Sequence, residues 1–347
     1  MNWWRKLTIN PLARWGAFLL IVFYAISLGA DFFAPYSPYD TQANGSLLPP
    51  TQIYWHEQDG DRFFPHVYPV TQGPVDLKTG DRQLRVDYTQ PSAIRLLHRD
   101  SEGHLHLFDT SGPGKLNLLG TDEQARDQFS RLIYGSRVSL SVGLVGILIS
   151  FPLGMLVGGL AGYLGGALDA VLMRLLEVVM TIPSIYLLVA LAAVLPAGLS
   201  SAQRFLLIIA ITSLVSWAGQ ARVIRGQVLA IKEQTFVQAT QVMGARALYI
   251  IIRHVLPQTA TYGIISATLA IPSFILAEAV LSFIGLGIQQ PDASWGNMLT
   301  LATNASILVL QPWLIWPPAI LIVMTSLAFN LLGDGLRDAL DPRILKQ

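Results

Sequence analysis

The stretch EQTFVQATQVMGARALYIIIRHVLP, residues 233–257, is a polar, helix-compatible segment between two long apolar runs. Phe236, Thr240 and Met243 recur at a spacing that places them on one side of a short helix. Gly244 then interrupts this pattern, because glycine loses more backbone freedom in a helix than any other residue. The stretch is therefore predicted to form a helix, a bend and a second helix at a membrane surface.

The second half of this stretch carries its own apolar stripe, which consists of Leu248, Ile251, Ile252 and Val255. Arg253 and His254 are predicted to mark the end of the second helix. Pro257 follows them, and its missing N–H cannot continue the same hydrogen-bond register. We therefore predict a compact two-helix structure over residues 233–257, called the elbow below, that presents its first face outward.

The spacing of the elbow resembles the cytoplasmic coupling loop of ABC importer permeases. The pattern of that family is Glu-Ala-Ala, three residues, Gly, nine residues, Ile, one residue and Leu-Pro, and this chain has QAT at 238–240, Gly244 and HVLP at 254–257. Gln, Thr and His replace the consensus Glu, Ala and Ile, whereas the Gly-to-Pro spacing is intact. The resemblance implies that the elbow inserts into a groove on a separate ATPase subunit, and the alternative is an ordinary connecting helix. The residues implied to couple to the ATPase are Phe236, Gln238, Ala239, Thr240, Gly244, Ala245, Arg253, His254, Leu256 and Pro257.

The composition is that of an integral membrane protein. Of the 347 residues, 52% are hydrophobic and 13% are charged, and the mean hydropathy is +0.48, whereas soluble domains average about 25% charged residues. The net charge of +1 gives no global field for binding nucleic acid. The absence of cysteine excludes disulfides, thiol catalysis and cysteine-ligated zinc.

The first segments of the chain predict one membrane span. Residues 1–14 carry Arg5, Lys6 and Arg14 and are predicted to stay in the cytoplasm, and residues 15–34 are predicted to form the first transmembrane helix. A secretory signal peptide is the alternative, but the run lacks a small-x-small cleavage pattern.

Residues 35–117 predict a small β-containing insert on the extracytoplasmic side, because Pro, Gly, Asp and aromatic residues abound and no apolar run approaches a span. AIRLLH and HLHLF flank RDSEG, which is typical of a hairpin, and QIYW, RFFPHVYPV and QLRVDY predict further strands. His104 and His106 share one strand face and either ligate a metal or face solvent. Since no third ligand can be placed beside them, no metal site is predicted. One hypothesis is that the insert forms a cap against a binding protein.

Residues 118–137 predict an amphipathic helix that lies flat at the outer interface. Thr121 and Gln124 form a capping-box signature, so the helix is expected to begin near Asp122. Phe129, Leu132 and Ile133 give it an apolar side, and the polar side is formed by Arg126, Asp127 and Arg131.

The remaining core, residues 138–332, contains five apolar runs, and we compare the length of each with the roughly 20 residues that a helix needs to cross a bilayer. They are 138–162, 178–203 with a kink at Pro183, 205–221, 257–277 and 313–332, with a short apolar piece at 298–310 expected at the outer surface. Together with the first helix, they predict an all-α membrane protein with six transmembrane helices. An even count puts both termini on one side, and basic residues concentrate in the segments that are then cytoplasmic, including the tail at 333–347.

No nucleotide-binding loop is predicted. GGLAGYLGG at 158–166 follows no strand, so we interpret it as a tight turn between helices. Gly114 and Lys115 precede Leu116 where a Walker A sequence needs Ser or Thr. No cofactor is therefore expected on this chain, and any ATP and Mg²⁺ would be used by partner subunits.

Ionisable residues within the membrane-spanning segments suggest either a substrate pathway or a structural ion pair. Glu278 and Glu177 are candidates for the substrate path, or for structural pairing in the case of Glu278. Arg174 lies three residues before Glu177 on a helix, and this spacing favours a local ion pair.

The last third of the chain narrows the resemblance. ILAEAVLSFIGLGIQQPDASWGNML and AFNLLGDGLRDALDPR, which ends at Arg343, are similar to the C-type second permease subunit of peptide and nickel ABC importers. The resemblance implies a prokaryotic plasma (inner) membrane protein that imports di- or oligopeptides. Its implied partners are a homologous second permease in a heterodimer, two ATP-binding cassette ATPases, an extracytoplasmic substrate-binding protein and the lipid bilayer.

Other classes stay open at this point. The same permease pattern suits nickel or another small peptide-like solute. An ion-coupled secondary transporter would need interrupted, repeated spans, which we do not find in the sequence. A membrane enzyme would need clustered His, Asp or Glu residues, and the histidines here do not cluster with acids. No catalytic residue is predicted.

Overall fold

The computed structural model describes residues 7–56, 63–75, 82–99, 103, 105–196 and 198–340. The predictions that rest on Arg5, Lys6, His104 and Arg343 lie outside the described residues. The chain divides into two compact units. The helical unit contains the described residues up to 21, 140–281 and those from 324 onward, and the insert unit contains 22–139 and 282–323.

Within the described residues, five helical stretches are long and apolar enough to cross a membrane, namely Pro11–Leu28, Gln128–Leu164, Ser201–Ile231, Ala247–Phe283 and Pro312–Leu340. In chain order the helices are α1 (Pro11–Leu28), α2 (Ala30–Phe33), α3 (Gln128–Leu164), α4 (Gly166–Thr181), α5 (Ser184–Ala193), α6 (Ser201–Ile231), α7 (Thr235–Val242), α8 (Ala247–Ile250), α9 (Leu256–Phe283), α10 (Trp295–Met298), α11 (Ala305–Leu310) and α12 (Trp316–Leu340). The bent pair α4 and α5 brings the count to six when it forms one span. The predicted membrane fold is thus confirmed.

The predicted third span is divided differently from the expectation. It was expected over 178–203 with a kink at Pro183, but α4 ends at Thr181 and α5 follows at an angle of 84°. Ile182 adopts an extended conformation with φ −80° and ψ 125°, because the proline ring disfavours a helical residue before it. The next helix begins at a capping box formed by Ser200 and Gln203, so α6 starts earlier than predicted.

A line of glycines on α3 brings this helix close to α6 inside the helical unit. A Cβ added to Gly154 would lie 2.6 Å from the Cβ of Gln220, and one added to Gly162 would lie 2.8 Å from the Cβ of Val228. Gly158, one turn from each, faces the backbone carbonyl of Ala221. These residues are spaced by four, which is the pattern of closely packed membrane helices.

A tight turn was predicted over residues 158–166, but only residues 165 and 166 form it. Gly165 and Gly166 have φ values of +65° and +59°, and the residues before them belong to α3. Both values lie in the left-handed region that glycine adopts without strain.

The strands of the insert unit are β1 (Tyr54–His56), β2 (Phe63–Val67), β3 (Val70–Val75), β4 (Arg82–Val86), β5 (Ser92–Arg99) and β6 (Leu105–Thr110). A four-stranded sheet has the order β1-β2-β5-β6, and β3 pairs with β4. The predicted hairpin is confirmed, since β5 and β6 are antiparallel with His98 opposite His106. The ring of His106 donates a hydrogen bond from Nδ1 to the carbonyl of Ala34 at 2.8 Å.

The separate amphipathic helix predicted over 118–137 is wrong. The helix begins at Gln128 and continues without interruption into the second span. Thr121 accepts a hydrogen bond from the N–H of Leu48 instead of capping a helix. The cap is Asp127, whose Oδ2 accepts the N–H of Ser130 at 2.6 Å.

The polar side predicted for that helix is buried in the insert unit. Arg126 and Arg131 are almost completely shielded from solvent and share the carboxylate of Asp122. Arg131 also donates to the carbonyls of Pro38 and Pro291 at 3.2 and 2.9 Å. These tertiary partners replace water, which explains why charged side chains line the inner face of this segment.

Short helical pieces precede the last span. α10 is followed by a 3₁₀ helix at Leu299–Thr303, by α11 and by a second 3₁₀ helix at Pro312–Leu314. Trp295 of α10 is buried, and its indole N–H donates to the carbonyl of Leu132 at 3.1 Å. The first residues of the predicted tail belong to α12, which extends to Leu340.

Candidate functional site

The elbow is held in place by a buried apolar cluster in the helical unit. α7 turns Val237 and Thr240 inward, and the Thr240 hydroxyl donates to the carbonyl of Phe236 at 2.8 Å. The cluster joins α6, α7, α8 and the start of α9, and its buried members are Ile224, Val228, Ile231, Val237, Ile250, Ile251, Val255 and Leu256. The elbow is therefore packed onto two of the long helices.

Gly244 forms the predicted bend. Its φ is +84°, and its N–H donates to the carbonyl of Gln241 at 3.0 Å. The next N–H, that of Ala245, donates to the carbonyl of Thr240 at 3.3 Å. A left-handed glycine that follows a helix and ties up its last carbonyls is a common helix end.

The second helix of the elbow was predicted to end ahead of Pro257, but the helix continues through this residue. α8 passes into a π-helical segment at Ile251–Val255, which continues directly into α9. The N–H of Leu256 donates to the carbonyl of Ile251, five residues back. The helix therefore passes from the π turn into α9 without a break. Pro257 is tolerated there because it lies at the second position of α9, in the first turn, where its missing N–H costs no hydrogen bond.

The predicted apolar stripes are only partly correct. The first face is presented outward at Phe236 and Met243, as predicted, but Thr240, which was predicted to share that face, is buried, as is Val237. In the second stripe Ile251 and Val255 are buried, whereas Leu248 and Ile252 are exposed. The π turn adds a residue per turn and shifts the phase of the second stripe, so a regular helical period could not place its members.

The outer side of the elbow is apolar. Val242 is 88% exposed and Met243 is 78% exposed, next to the Gly244 bend. We call the exposed apolar side chains of this segment the elbow surface, and they are Phe236, Val242, Met243, Leu248, Tyr249 and Ile252. Sequence reasoning missed Val242 and Tyr249, although pairs of apolar residues on both sides of a glycine bend are a usable signal.

The polar residues predicted for the elbow lie around this surface. Gln238 and Ala239 are exposed, and the Gln238 side chain donates to the carbonyl of Glu233 at 3.3 Å. Arg253 is also exposed, and the ring of His254 packs edge-on against Tyr249 with the centroids 5.6 Å apart. Leu256 is buried and Ala245 packs against the buried cluster, whereas Pro257 is exposed.

The two acidic candidates for a substrate path lie on different helices. Glu177 on α4 pairs with Arg174 at 2.9 Å, as predicted from their spacing, and both side chains are largely exposed. Glu278 on α9 is completely buried. Neither belongs to the elbow, and their role in a path stays a prediction.

A cavity of about 800 Å³ in the helical unit was not predicted from the sequence. It is lined by α6, α9 and α12, and its polar side chains include Gln220, Tyr262, Ser266 and Arg337. Gln220 and Ser266 hold each other, since the Ser266 hydroxyl donates to Oε1 of Gln220 at 2.8 Å. A glutamine inside an apolar span is the signal that could have identified this cavity.

The described residues contain no group of three or more His, Cys, Asp or Glu side chains placed to hold a metal ion. The pairing of His104 with His106 cannot be followed in the structure, because His104 lies outside the described part of the chain.

Comparison with known proteins gives the following matches. The model of the family "binding-protein-dependent transport system inner membrane component" matches residues 151–346, and that of the "N-terminal TM domain of oligopeptide transport permease C" matches residues 2–50. The dipeptide transport system permease protein DppC of Bacillus subtilis is 34% identical over 341 residues, which cover 98% of this chain and 85% of that protein. The oligopeptide transport system permease protein OppC of Escherichia coli K12 is 42% identical over 227 residues, which cover 65% of this chain and 72% of that protein. A solved inward-facing structure of the MetNI methionine ABC transporter is 19% identical, with a TM-score of 0.45, and the match covers 61% of this chain and 98% of that chain.

Proposed function

This chain belongs to the family of binding-protein-dependent transport system inner membrane components, and from that premise we propose that it is the permease subunit through which an ATP-driven importer moves di- or oligopeptides. Its relatives are named as dipeptide and oligopeptide permeases, which supports peptides as the substrate. Two ATPase subunits hydrolyse ATP with Mg²⁺, a homologous permease completes the path, and an extracytoplasmic binding protein delivers the peptide. Both termini and the elbow face the cytoplasm, and residues 35–117 face the outside.

The elbow surface is the observation that carries this proposal. Clustered apolar side chains exposed beside a fixed bend mark a site of protein interaction. Met243 and Val242 protrude at the Gly244 bend, where an apolar groove on an ATPase subunit would cover them. The coupling-loop spacing lies in the same segment, because its matched positions at 238–240, 244 and 254–257 alternate along the chain with the residues of the elbow surface.

Movement of the elbow reaches the long helices through the buried cluster. Val237 of α7 packs with Ile224 and Val228 of α6, and the π segment is continuous with α9. α6 and α9 also line the helical-unit cavity. ATP-driven closure of the ATPases would therefore favour one arrangement of these helices over the other, which is a population shift.

We assign the peptide path to the side of the helical unit that carries the cavity. The Gln220–Ser266 pair, Tyr262 and Arg337 offer donors, acceptors and one cation in a mostly apolar wall. Such a lining suits peptide backbones, which vary little while their side chains vary greatly. Glu278 and Glu177 remain further candidates for this path.

The coupling proposal is tested by placing a charge on the elbow surface. Met243→Glu is expected to abolish co-purification of the ATPase subunits with the permease and to stop peptide uptake, while the permease still inserts in the membrane. Leu96→Glu is the matched control, because Leu96 is equally exposed on strand β5 of the insert unit. Full retention of the ATPases and normal uptake by the Met243→Glu protein would overturn the coupling role.

The substrate is tested by uptake of labelled dipeptides, oligopeptides and nickel into cells with and without the gene. Peptide uptake that depends on the gene is the expected result. Gene-dependent uptake of nickel alone would replace the peptide assignment with the nickel alternative and leave the coupling proposal standing.

A further inference from the structure

The insert unit contains a cavity of about 420 Å³, well separated in sequence from the elbow. Its walls come from the loops around residues 41–52 and 113–117, from β1 and from the β3–β4 hairpin. Small-molecule sites in proteins are concave and typically measure about 300–1,000 Å³. The cavity, called the insert cavity below, is therefore large enough to enclose the end of a short peptide.

One wall of the insert cavity is aromatic and rigid. Tyr54 and Tyr68 line it, and their ring centroids lie 5.1 Å apart. Tyr68 is buried, its ring also packs on Tyr88, and its hydroxyl is within 3.1 Å of Nε2 of His66. A ring held from two sides offers a preformed surface to an apolar side chain at little entropic cost.

The remaining apolar surface comes from Leu48, Leu84, Val86 and several prolines. Prolines at positions 49, 50, 69 and 113 contribute fixed backbone and no N–H donors. The apolar part of the cavity thus binds through shape and burial of hydrocarbon rather than through hydrogen bonds.

The polar part of the insert cavity is positive. Lys115 is the charged side chain among its described lining residues, and no carboxylate lines it there. The described residues give Lys115 no ion pair, and its Nζ lies over the ring of Tyr36 at 4.7 Å from the centroid. Its charge also acts on the buried carboxylate of Asp127, but the described residues form no salt bridge with it, and an ammonium group without a salt bridge beside a partly apolar cavity favours an anionic ligand.

A pair of amides lies next to this lysine. Nε2 of Gln42 donates to Oδ1 of Asn117 at 2.7 Å, and Nδ2 of Asn117 donates to Oε1 of Gln42 at 3.1 Å. The N–H of Asn117 donates to Oγ1 of Thr51 at 2.9 Å, which fixes the loop on the other side. Each amide retains a second N–H, and these hydrogens can reach the oxygens of a carboxylate or a peptide group.

We propose that the insert cavity is a second peptide site, which holds the carboxyl terminus of a short peptide with its last, apolar or aromatic side chain against Tyr54 and Tyr68. The carboxylate pairs with Lys115. Because no acidic group lines the described cavity, the positively charged amino terminus of the peptide finds no ion-pair partner there and stays in solvent. The site therefore recognises one end of the peptide, and this inference rests on the proposed function as a peptide permease.

The test compares three ligands on the same full-length protein, purified in lipid nanodiscs without its partners. The ligands are Ala-Phe, N-acetyl-Ala-Phe and Ala-Phe amide, and binding is measured by equilibrium dialysis. Ala-Phe and its acetylated form are expected to bind with similar affinity, and the amide at least tenfold more weakly. Absence of binding, or equal binding of the amide, would overturn the proposal.

Variants locate the site. Lys115→Met keeps the hydrocarbon stem and is expected to weaken binding of Ala-Phe at least tenfold without changing the weak binding of the amide. Leu96→Glu, an exposed position on β5 that does not line the insert cavity, serves as the control and is expected to bind like the wild type. If Lys115→Met instead blocks docking of the binding protein while no peptide binds the isolated permease, the cavity is a docking site and the inference is wrong.

This inference and the proposed function fail in different assays. Gene-dependent peptide uptake without binding to the isolated permease would reject the second peptide site alone. Carboxylate-selective binding without gene-dependent peptide uptake would support the site and reject peptide import.

Discussion

Arg225 and Asp169 form a two-point ion pair that joins α6 to α4 in the helical unit. Nε of Arg225 lies 2.6 Å from Oδ1 of Asp169, and Nη2 lies 2.6 Å from Oδ2. Ile224 and Val228, which flank Arg225 on α6, belong to the buried cluster under the elbow. The pair therefore ties α6 to α4 next to the buried cluster on which the elbow packs.

Replacing Arg225 with lysine is expected to weaken this connection, because an ammonium group cannot form both parallel hydrogen bonds. The side chains are 30% and 16% exposed, so we expect a loss of about 1 kcal/mol and a melting temperature about 2 °C lower. A double-mutant cycle with Asp169→Asn checks the coupling by thermal unfolding in detergent. Arg174→Lys, in the more exposed pair with Glu177, is the control and should leave the melting temperature unchanged. Strict additivity of the two changes at 225 and 169 would contradict the prediction.

The close approach of α3 to α6 predicts that Gly158 tolerates no side chain. A methyl group at this position would collide with the carbonyl oxygen of Ala221, which belongs to the backbone and cannot turn away. Gly158→Ala is therefore expected to destabilise the protein by about 1–3 kcal/mol. The matched change Gly226→Ala on α6 meets nothing within 4 Å and should be neutral or stabilising. Comparison of the two melting temperatures tests the packing, and equal values would refute it.

The bend at Gly244 predicts a transport defect that does not come from a steric clash. Nothing lies within 4 Å of an added Cβ, but φ is +84°, where an L-residue costs about 1–2 kcal/mol. Gly244→Val should distort the elbow and uncouple ATP hydrolysis from peptide uptake in reconstituted vesicles while the protein still inserts. Gly244→Asn should keep most of the uptake, since asparagine tolerates this conformation better than other residues. Normal uptake by the valine variant would count against the elbow as the coupling element.

Local chemistry decided which parts of the fold could be predicted from the sequence. The bend at Gly244, the break at Pro183 and the β5–β6 hairpin depend on a few neighbouring residues, and all three were predicted. The continuous helix through Pro257 was not, because it depends on a π turn that a regular period does not describe. The burial of Arg126 and Arg131 also depends on partners distant in the chain, such as the carbonyl of Pro291 for both arginines.

The same distinction holds for the sites. The coupling residues could be found because their spacing is contiguous in the sequence. The helical-unit cavity combines residues of three helices, and the insert cavity combines loops and strands from residue 41 to residue 117. Neither set has a spacing in the sequence that identifies it, although Gln220 within an apolar span and the tyrosines of the insert were visible separately.

The buried cap of α3 predicts a pH dependence of stability. Burial raises the pKa of Asp127 to about 6, against hydrogen bonds from Ser130 and the charge of Lys115, which lower it. The folded protein therefore binds a proton at Asp127 more tightly than the unfolded chain does. Stability contributed by this group is present at low pH and is lost as the pH rises from about 4 to about 6.

Asp127→Asn removes this titration and keeps a side chain that can cap the helix. The melting temperature of the variant, relative to the wild type, should rise as the pH increases from 4 to 7. Asp87→Asn in the insert unit provides a control of opposite sign, because hydrogen bonds from Thr89 lower the pKa of Asp87. That carboxylate contributes stability above its unfolded pKa and loses it as the pH falls, so the relative melting temperature of the Asp87→Asn protein should decline slightly toward pH 7. Parallel pH profiles for the wild type and the Asp127→Asn protein would show that Asp127 does not titrate in this range and that its carboxylate is stabilised by more than the Ser130 cap.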